Sequence, residues 1–185
     1  KDGDVVTATA NVTVNSLGNP TISITDNNGA TAGQITVKEA GLAAGTLHDG
    51  SNSANGTMTV TAPNGLASID FGATNVTVAQ LNNLATTPVT ITTADGSVKL
   101  TGYNAGTGVI SYTYSISAPQ TAAGASVADS LSITVHDASS QTVSTTLTAS
   151  ITNDAPLATN DTITTTAGQA ATGSLAANDT VGADS

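Results

Sequence analysis

Short runs of alternating residues fill most of this chain, and they restrict its fold more than any other feature. In each run, β-branched or other apolar residues alternate with Thr, Ser or Ala, which is the period-2 pattern of a half-buried strand. Gly, Asn, Asp and Pro stand between the runs, and Asp95-Gly96 predicts a tight hairpin. The predicted strands are Val5–Val14, Thr21–Thr25, Gln34–Lys38, Thr57–Thr61, Val89–Thr93, Val98–Tyr103, Val109–Ile116, Leu131–His136 and Thr142–Ile151.

Many short strands with little helix predict an all-β fold, an antiparallel β-sandwich of the immunoglobulin-like or cadherin-like type. One helical turn is expected after Thr77, which can cap it, with Leu81 and Leu84 facing inward. A second turn is expected within residues 39–47. The four aromatic residues are the expected large core side chains: Phe71, Tyr103, Tyr112 and Tyr114.

The charge balance is strongly acidic, with 13 Asp and Glu against three basic residues and a net charge of −10. So few basic side chains cannot neutralise a phosphate backbone, which excludes nucleic acid as a partner. Cysteine is absent, so disulfides and thiolate metal sites are excluded. No apolar run approaches the roughly 20 residues of a membrane-spanning helix, so no membrane insertion is expected. Acids of one sign repel each other unless cations lie among them, which favours bound calcium.

The sequence offers little support for catalysis. His48 and His136 each stand beside an acid, but no nucleophile elbow or triad pattern accompanies them. Glu39 is the only glutamate, and no aromatic platform for a sugar is evident. We therefore expect that the chain is not an enzyme.

A long-range repeat indicates more than one structural unit. The strand Val5–Val14 overlays Thr142–Ile151, and a proline follows each of them, Pro20 and Pro156. A spacing this large indicates domains in tandem rather than the turns of a solenoid. The chain is predicted to comprise three parts: the terminal strand of a preceding repeat (1–19), a complete sandwich repeat (20–155) and the truncated start of the next repeat (156–185).

Several motifs resemble those of a known family. Ile151–Asp161 resembles the interdomain junction of giant bacterial repeat adhesins, and Gly173–Asp179 resembles the G-x-L-x-A-N-D element of their cadherin-like repeats. Val37–Leu42 and Gly108–Tyr114 resemble motifs of the tandem repeats in type I-secreted RTX adhesins. The resemblance implies an extender domain with calcium at its junctions, on a secreted protein of the bacterial cell surface used in attachment or biofilm formation. Its partners would be neighbouring repeats of the same protein.

Calcium takes six to eight oxygen ligands, and carboxylate and amide side chains in the turns between strands could supply them. One group would lie at the N-terminus and another around Pro156, while a further pair of acids is expected to bracket the strand Leu131–His136. The candidate ligands are Asp2, Asp4, Asp26, Asn27, Glu39, Asp129, Asp137, Asn153, Asp154 and Asp161.

One of these positions departs from the family pattern. In the repeat register, Asp2 and Asp4 fall opposite Ser139 and Gln141. The acidic D-x-D-G-D turn of the family is thereby reduced to Asp137 in the complete unit. We predict that calcium is absent or poorly held at this second location.

Two alternative functions remain open. A glycan- or surface-binding module would require a concave patch with exposed aromatic residues. A filament subunit could add its strand Val5–Val14 to residues 156–185 of a second copy, head to tail, and such a contact would propagate rather than close.

Overall fold

The computed structural model describes residues 3, 5, 7–13, 18–28, 33–120 and 125–183. Two five-stranded sheets pack face to face as a sandwich around one apolar core. The strands are β1 (Thr21–Ile24), β2 (Ile35–Lys38), β3 (Ser53–Thr61), β4 (Leu66–Phe71), β5 (Thr74–Thr77), β6 (Val89–Thr92), β7 (Ser97–Asn104), β8 (Val109–Ser115), β9 (Ser126–Asp137) and β10 (Thr142–Thr152).

The first sheet has the order β1-β3-β8-β7-β6, and the second has the order β2-β10-β9-β4-β5. These orders contain the A-B-E-D and G-F-C arrangements of an immunoglobulin-like sandwich. Among the described strands, every pair is antiparallel except β2 with β10, which run parallel from Ile35 beside Ala149 to Lys38 beside Thr152. The predicted all-β antiparallel sandwich is confirmed, with this one parallel pair at an edge.

Alternation along each strand fills the core. In β8, Tyr112 and Tyr114 point inward together with Ile110, and all three are buried. Gly56 lies directly across from Tyr112, and a Cβ atom at Gly56 would lie 2.3 Å from a carbon of the Tyr112 ring. Glycine is therefore required there, because only it leaves room for the aromatic ring. Phe71 is also fully buried, whereas Tyr103 is partly buried against the core.

Helical structure is confined to two short turns in the described residues. Helix α1 (Val78–Asn82) begins with a capping box, in which Thr77 N–H donates to Gln80 Oε1 at 2.9 Å and the Thr77 hydroxyl accepts from Gln80 N–H. Leu81 and Leu84 are buried as predicted. Residues Glu39–Gly41 form the second turn, a 3₁₀ helix. No helix in the described part of the chain is long and apolar enough to span a membrane.

Some predicted strands differ from those observed. Residues 7–13 are exposed and belong to neither sheet among the described strands, although they alternate as β10 does. The alternation of β10 becomes a strand because β9 and β2 flank it, and residues 7–13 have no such neighbours in the described part of this chain. Strands β4 and β5 were not predicted, since Asp70 and Asn75 are residue types that strands disfavour.

The hairpin β9–β10 defines the long axis of the sandwich. Its pairing runs from His136 beside Thr142 to Ser126 beside Thr152, a length of about 35 Å at the rise of a β-strand. At one end, Asn64 Nδ2 donates to the Gly18 carbonyl at 2.7 Å and to Asp137 Oδ2 at 2.9 Å. We call the end with Gly18, Asn64 and Asp137 the proximal pole. The opposite end, with Glu39, Thr46, Gln120 and Asp154, is the distal pole.

Residues 155–183 follow β10 at the distal pole. Leu157 and Thr180 exchange two backbone hydrogen bonds of 2.9 Å, which closes the intervening residues into a loop. Ala183 then returns to the core and is buried, and a Cβ atom at Gly182 would lie 2.2 Å from the Asp154 carbonyl oxygen. The described part of this segment is thus anchored on the sandwich at both of its ends.

Candidate functional site

Glu39 is the first of two buried acids at the distal pole. It follows β2 directly, begins the 3₁₀ turn, and is only 1% exposed. Its Oε1 accepts a hydrogen bond from Gln120 N–H at 2.6 Å, and its Oε2 accepts one from Asp154 N–H at 3.3 Å. One carboxylate therefore connects β2 to the loop before β9 and to the end of β10.

Asp154 is the second buried acid, 6% exposed and two residues beyond β10. Its Oδ2 accepts from Thr46 N–H at 2.8 Å, and its Oδ1 accepts from the Thr46 hydroxyl at 2.6 Å. Thr46 lies in the loop that follows the 3₁₀ turn. The two carboxylates thus share one network that joins three loops at the distal pole.

All of these hydrogen-bond donors are uncharged, so the network leaves two negative charges in a partly desolvated place. The single ion pair among the described residues is His136 with Asp70, so no basic side chain is bonded to Glu39 or Asp154. A cation near these carboxylates would be favoured because a buried negative charge attracts a positive charge more strongly than the same charge in water does. Their donor chemistry suits calcium as two oxygen ligands. Within the described ranges, no group of three or more acidic, His or Cys side chains forms a metal site, so further oxygens would come from carbonyls or water.

Asp129 lies inside β9, not at the end of the strand as predicted. Its side chain faces the core, where Oδ2 accepts from the Tyr114 hydroxyl at 2.8 Å, from the Thr93 hydroxyl and from Asp95 N–H at 3.4 Å. Its Oδ1 is buried and makes no hydrogen bond with the described residues. Burial and then the bond to Asp129 raise the pKa of Tyr114, so the phenol stays protonated and donates across the sandwich.

Asp137 closes the β9–β10 turn at the proximal pole. Its Oδ1 accepts from Ser139 N–H at 2.9 Å and from Gln141 N–H at 2.7 Å, while Oδ2 accepts from Asn64. The Asn64 hydrogen bond, followed by the two backbone bonds, lowers the pKa of Asp137 below its ordinary value. The backbone of Ser139 and of Gln141 presents N–H donors to this carboxylate. That calcium is absent or poorly held here stays a prediction.

The remaining candidates are dispersed. Asp26 Oδ1 accepts from Asn28 N–H at 3.0 Å, and Asn27 Nδ2 donates to the Asn55 carbonyl at 3.0 Å. Asp161 is exposed in the loop after β10, and Asn153 N–H bonds to the Ala125 carbonyl at 3.1 Å. Asp2 and Asp4 lie outside the described residues. The structure thus brings together Glu39 and Asp154, with Asn153 adjacent in sequence.

A surface pair occurs on β4 and β9. His136 Nε2 lies 2.7 Å from Asp70 Oδ2, and Asn75 Nδ2 donates to Asp70 Oδ1 at 2.6 Å. The Asn75 bond first, and His136 second, lower the pKa of Asp70. Ser68 lies opposite His136 in the β4–β9 pairing, but its Oγ accepts from Asn75 Nδ2 at 3.1 Å, and no hydrogen bond joins it to the imidazole among the described residues.

Sequence reasoning missed several residues of these networks. Gln120 and Thr46 are 81 and 108 residues from the acids that they bind, so no local pattern marks them. The inward orientation of Asp129 could have been predicted, because Asp129 lies two residues before the core residue Leu131. Residues two apart in a strand face the same side of the sheet.

Comparisons of this chain with protein-family models, with curated proteins and with solved structures find no match. The likeness to RTX adhesin repeats therefore depends on the sequence motifs alone.

Proposed function

We propose that this chain is a structural spacer module of a secreted, cell-surface adhesin, held at its junctions by calcium and used in attachment or biofilm formation. One observation carries the proposal. The chain enters the sandwich at the proximal pole, by Gly18, and leaves it at the distal pole, by Asp154, about 35 Å away along the β9–β10 hairpin. Modules joined end to end in this way extend in line, whereas termini on one side would fold the array back.

The calcium part of the proposal rests on Glu39 and Asp154. Both carboxylates are buried at the pole where the chain leaves the sandwich, and neither is bonded to a basic side chain in the described part of the chain. Bound calcium would supply positive charge between them. The protein's own part is positional, since Gln120 and Thr46 fix the two carboxylates by hydrogen bonds.

The two other function classes gain no comparable support. A glycan platform needs exposed aromatic rings, yet Phe71, Tyr112 and Tyr114 are buried and Tyr103 is partly buried against the core. Catalysis would need His136 beside a nucleophile, and its described partner is a carboxylate, Asp70. We therefore favour a spacer that is not an enzyme.

Thermal unfolding with EDTA and with calcium tests this function. Calcium at about 100 times its Kd should stabilise the fold by about 2.7 kcal/mol and raise Tm by about 5–10 °C. Glu39→Gln should lose most of that increase, because it removes one of the two charges that favour the ion. Asp49→Asn is the matched control, since Asp49 is an exposed acid that accepts from Ser51 N–H in its own turn.

Identical Tm values in EDTA and in calcium would contradict the proposal. If Glu39→Gln keeps the full calcium-dependent increase in Tm, the ion is bound by other ligands, and the assignment of the calcium site to the distal pole is contradicted.

A further inference from the structure

A four-residue sequence occurs twice in this chain. Thr166-Ala167-Gly168-Gln169 repeats Thr31-Ala32-Gly33-Gln34, and Asp161 precedes the second copy by the same five residues as Asp26 precedes the first. The two copies lie at the start of the sandwich and in the segment that follows it. The contacts of the first copy therefore indicate which contacts the second copy is able to make.

The first copy fastens the chain to β10. Gln34 N–H donates to the Thr148 carbonyl at 2.8 Å, and Thr148 N–H donates to Gln34 Oε1 at 2.7 Å. Gly33 has a φ of 82°, and a Cβ atom there would lie 2.6 Å from the Thr148 carbonyl oxygen. Glycine thus permits both the left-handed backbone and the close approach. We call Gly33-Gln34, with its two hydrogen bonds to Thr148, the latch. Immediately after it, β2 begins its parallel pairing with β10.

At its glycine, the second copy has the same left-handed backbone as the first, but no described strand lies beside it. Gly168 has a φ of 86°, and no described atom lies within 4 Å of a Cβ placed there. Residues 166–169 are exposed, and Gln169 N–H bonds locally, to the Thr166 carbonyl at 3.0 Å. The sequence Leu175-Ala176-Ala177 further repeats Leu42-Ala43-Ala44, yet Leu175 is 67% exposed whereas Leu42 is 5% exposed.

Residues 7–13 have the pattern of the strand that a latch binds. In the overlay with β10, Asn11 takes the position of Thr148 and Val12 that of the buried Ala149. Thr7, Thr9 and Asn11 match exposed or partly exposed positions of β10, whereas Thr13 matches the buried Ser150. Val12 is 82% exposed, so its apolar face has no cover from the described part of this chain.

We propose that Gly168-Gln169 is a second latch and that it binds residues 7–13 of another copy of this chain. Gln169 N–H would donate to the Asn11 carbonyl, and Gln169 Oε1 would accept from Asn11 N–H, as Gln34 does with Thr148. Residues 7–13 precede the proximal pole in the chain, and Gly168-Gln169 follows the distal pole. The contact is therefore heterologous and adds copies head to tail. Such an association surface goes beyond the spacer role and involves none of the calcium ligands proposed above.

Sedimentation velocity over a range of concentrations, in EDTA, tests the association. The native chain should form head-to-tail oligomers, and Gly168→Val should remain monomeric because valine disfavours the left-handed backbone of the latch. Thr172→Val, at an exposed position just beyond the latch, is the control and should associate as the native chain does. A native chain that stays monomeric, or a Gly168→Val chain that associates normally, would overturn the proposal.

Disulfide transfer tests the register, because the chain has no cysteine of its own. Val12→Cys, activated as its thiopyridyl disulfide, is mixed with Ala170→Cys, whose counterpart Ile35 pairs with Ala149 in the first latch. The free thiolate of the Ala170→Cys chain attacks the activated sulfur, forms the disulfide between chains and releases one thiopyridone. Release should be at least about tenfold faster than with Ala158→Cys, an exposed alanine of the same segment, because docking raises the effective concentration. Equal rates would refute this register.

These measurements separate the two proposals. If the chain associates in EDTA but its Tm does not depend on calcium, the second latch is supported and the calcium-held spacer is contradicted. If the Tm depends on calcium but the chain stays strictly monomeric, the spacer is supported and the second latch is contradicted.

Discussion

The two poles of the sandwich use buried carboxylates in different ways. At the proximal pole, Asp137 accepts from backbone N–H groups two and four residues ahead of it and from Asn64 Nδ2, 73 residues away in sequence. At the distal pole, Glu39 and Asp154 accept from groups 81 and 108 residues away. Two of the three described donors to Asp137 lie in its own turn, whereas every described donor to Glu39 and Asp154 is distant in sequence. A charge at the distal pole, or an ion that neutralises it, should therefore affect global stability more than a charge at the proximal pole does.

The largest expected effect is at Asp154. Asp154→Ala leaves the Thr46 N–H and hydroxyl without their charged acceptor, so it should lower the free energy of unfolding by about 2–4 kcal/mol. Urea denaturation in EDTA measures the change. Asp161→Ala is the control at an exposed acid of the following loop, where about 0.5 kcal/mol or less is expected. If the two variants are equally stable, repulsion between the buried acids cancels their hydrogen bonds, and the contrast between the poles fails.

An intermediate effect, dependent on pH, is expected at Asp137. Its folded pKa is lowered, so its contribution to stability is complete above the unfolded value of about 3.9 and is lost as pH falls through the folded pKa. The difference in free energy of unfolding between the native chain and Asp137→Asn should therefore be constant above about pH 5 and shrink below about pH 4. Denaturation at pH values from neutral to strongly acidic checks this. A difference that grows on acidification would show that Asp137 stabilises the turn in its protonated form.

The smallest effect is expected away from both poles, at the surface pair of His136 and Asp70. Both side chains are about one-third exposed, so His136→Gln should cost less than about 1 kcal/mol. The hydrogen bond from Asn75 lowers the pKa of Asp70 more than the hydrogen bond to His136 does. NMR titration of the Asp70 carboxyl should therefore show a larger upward shift in Asn75→Ala than in His136→Gln. The opposite order would make the ion pair the main stabilising contact.

Local features of the fold could be predicted from the sequence. Asp95-Gly96 does connect β6 to β7, and Thr77 does cap α1, because a turn or a cap depends on a few adjacent residues. The strand predicted at Val5–Val14 shows the limit of such reasoning. Alternation gives the capacity to pair, but pairing needs a neighbour, and residues 7–13 have none among the described strands of this chain.

The candidate site was predictable only in part. Turn preference identified Glu39 and Asp154 as acids near loops, but Asn and Asp favour turns whether or not they bind metal. Glu39 and Asp154 share one hydrogen-bond network because three loops meet at the distal pole. The sequence does not show which loops meet there. Asp129 was predicted at a strand end, although its position two residues before Leu131 puts it on the core face of the same strand.

The parallel pairing of β2 with β10 has a consequence for a chain under tension. Pulling on Gly18 and Asp154 directs the load along β10, whose hydrogen bonds to β9 and β2 lie across that direction. These bonds then share the force in shear and must break together instead of opening one by one. Such a module should yield only at high force, and its rupture would be set by the unfolding rate rather than by equilibrium stability.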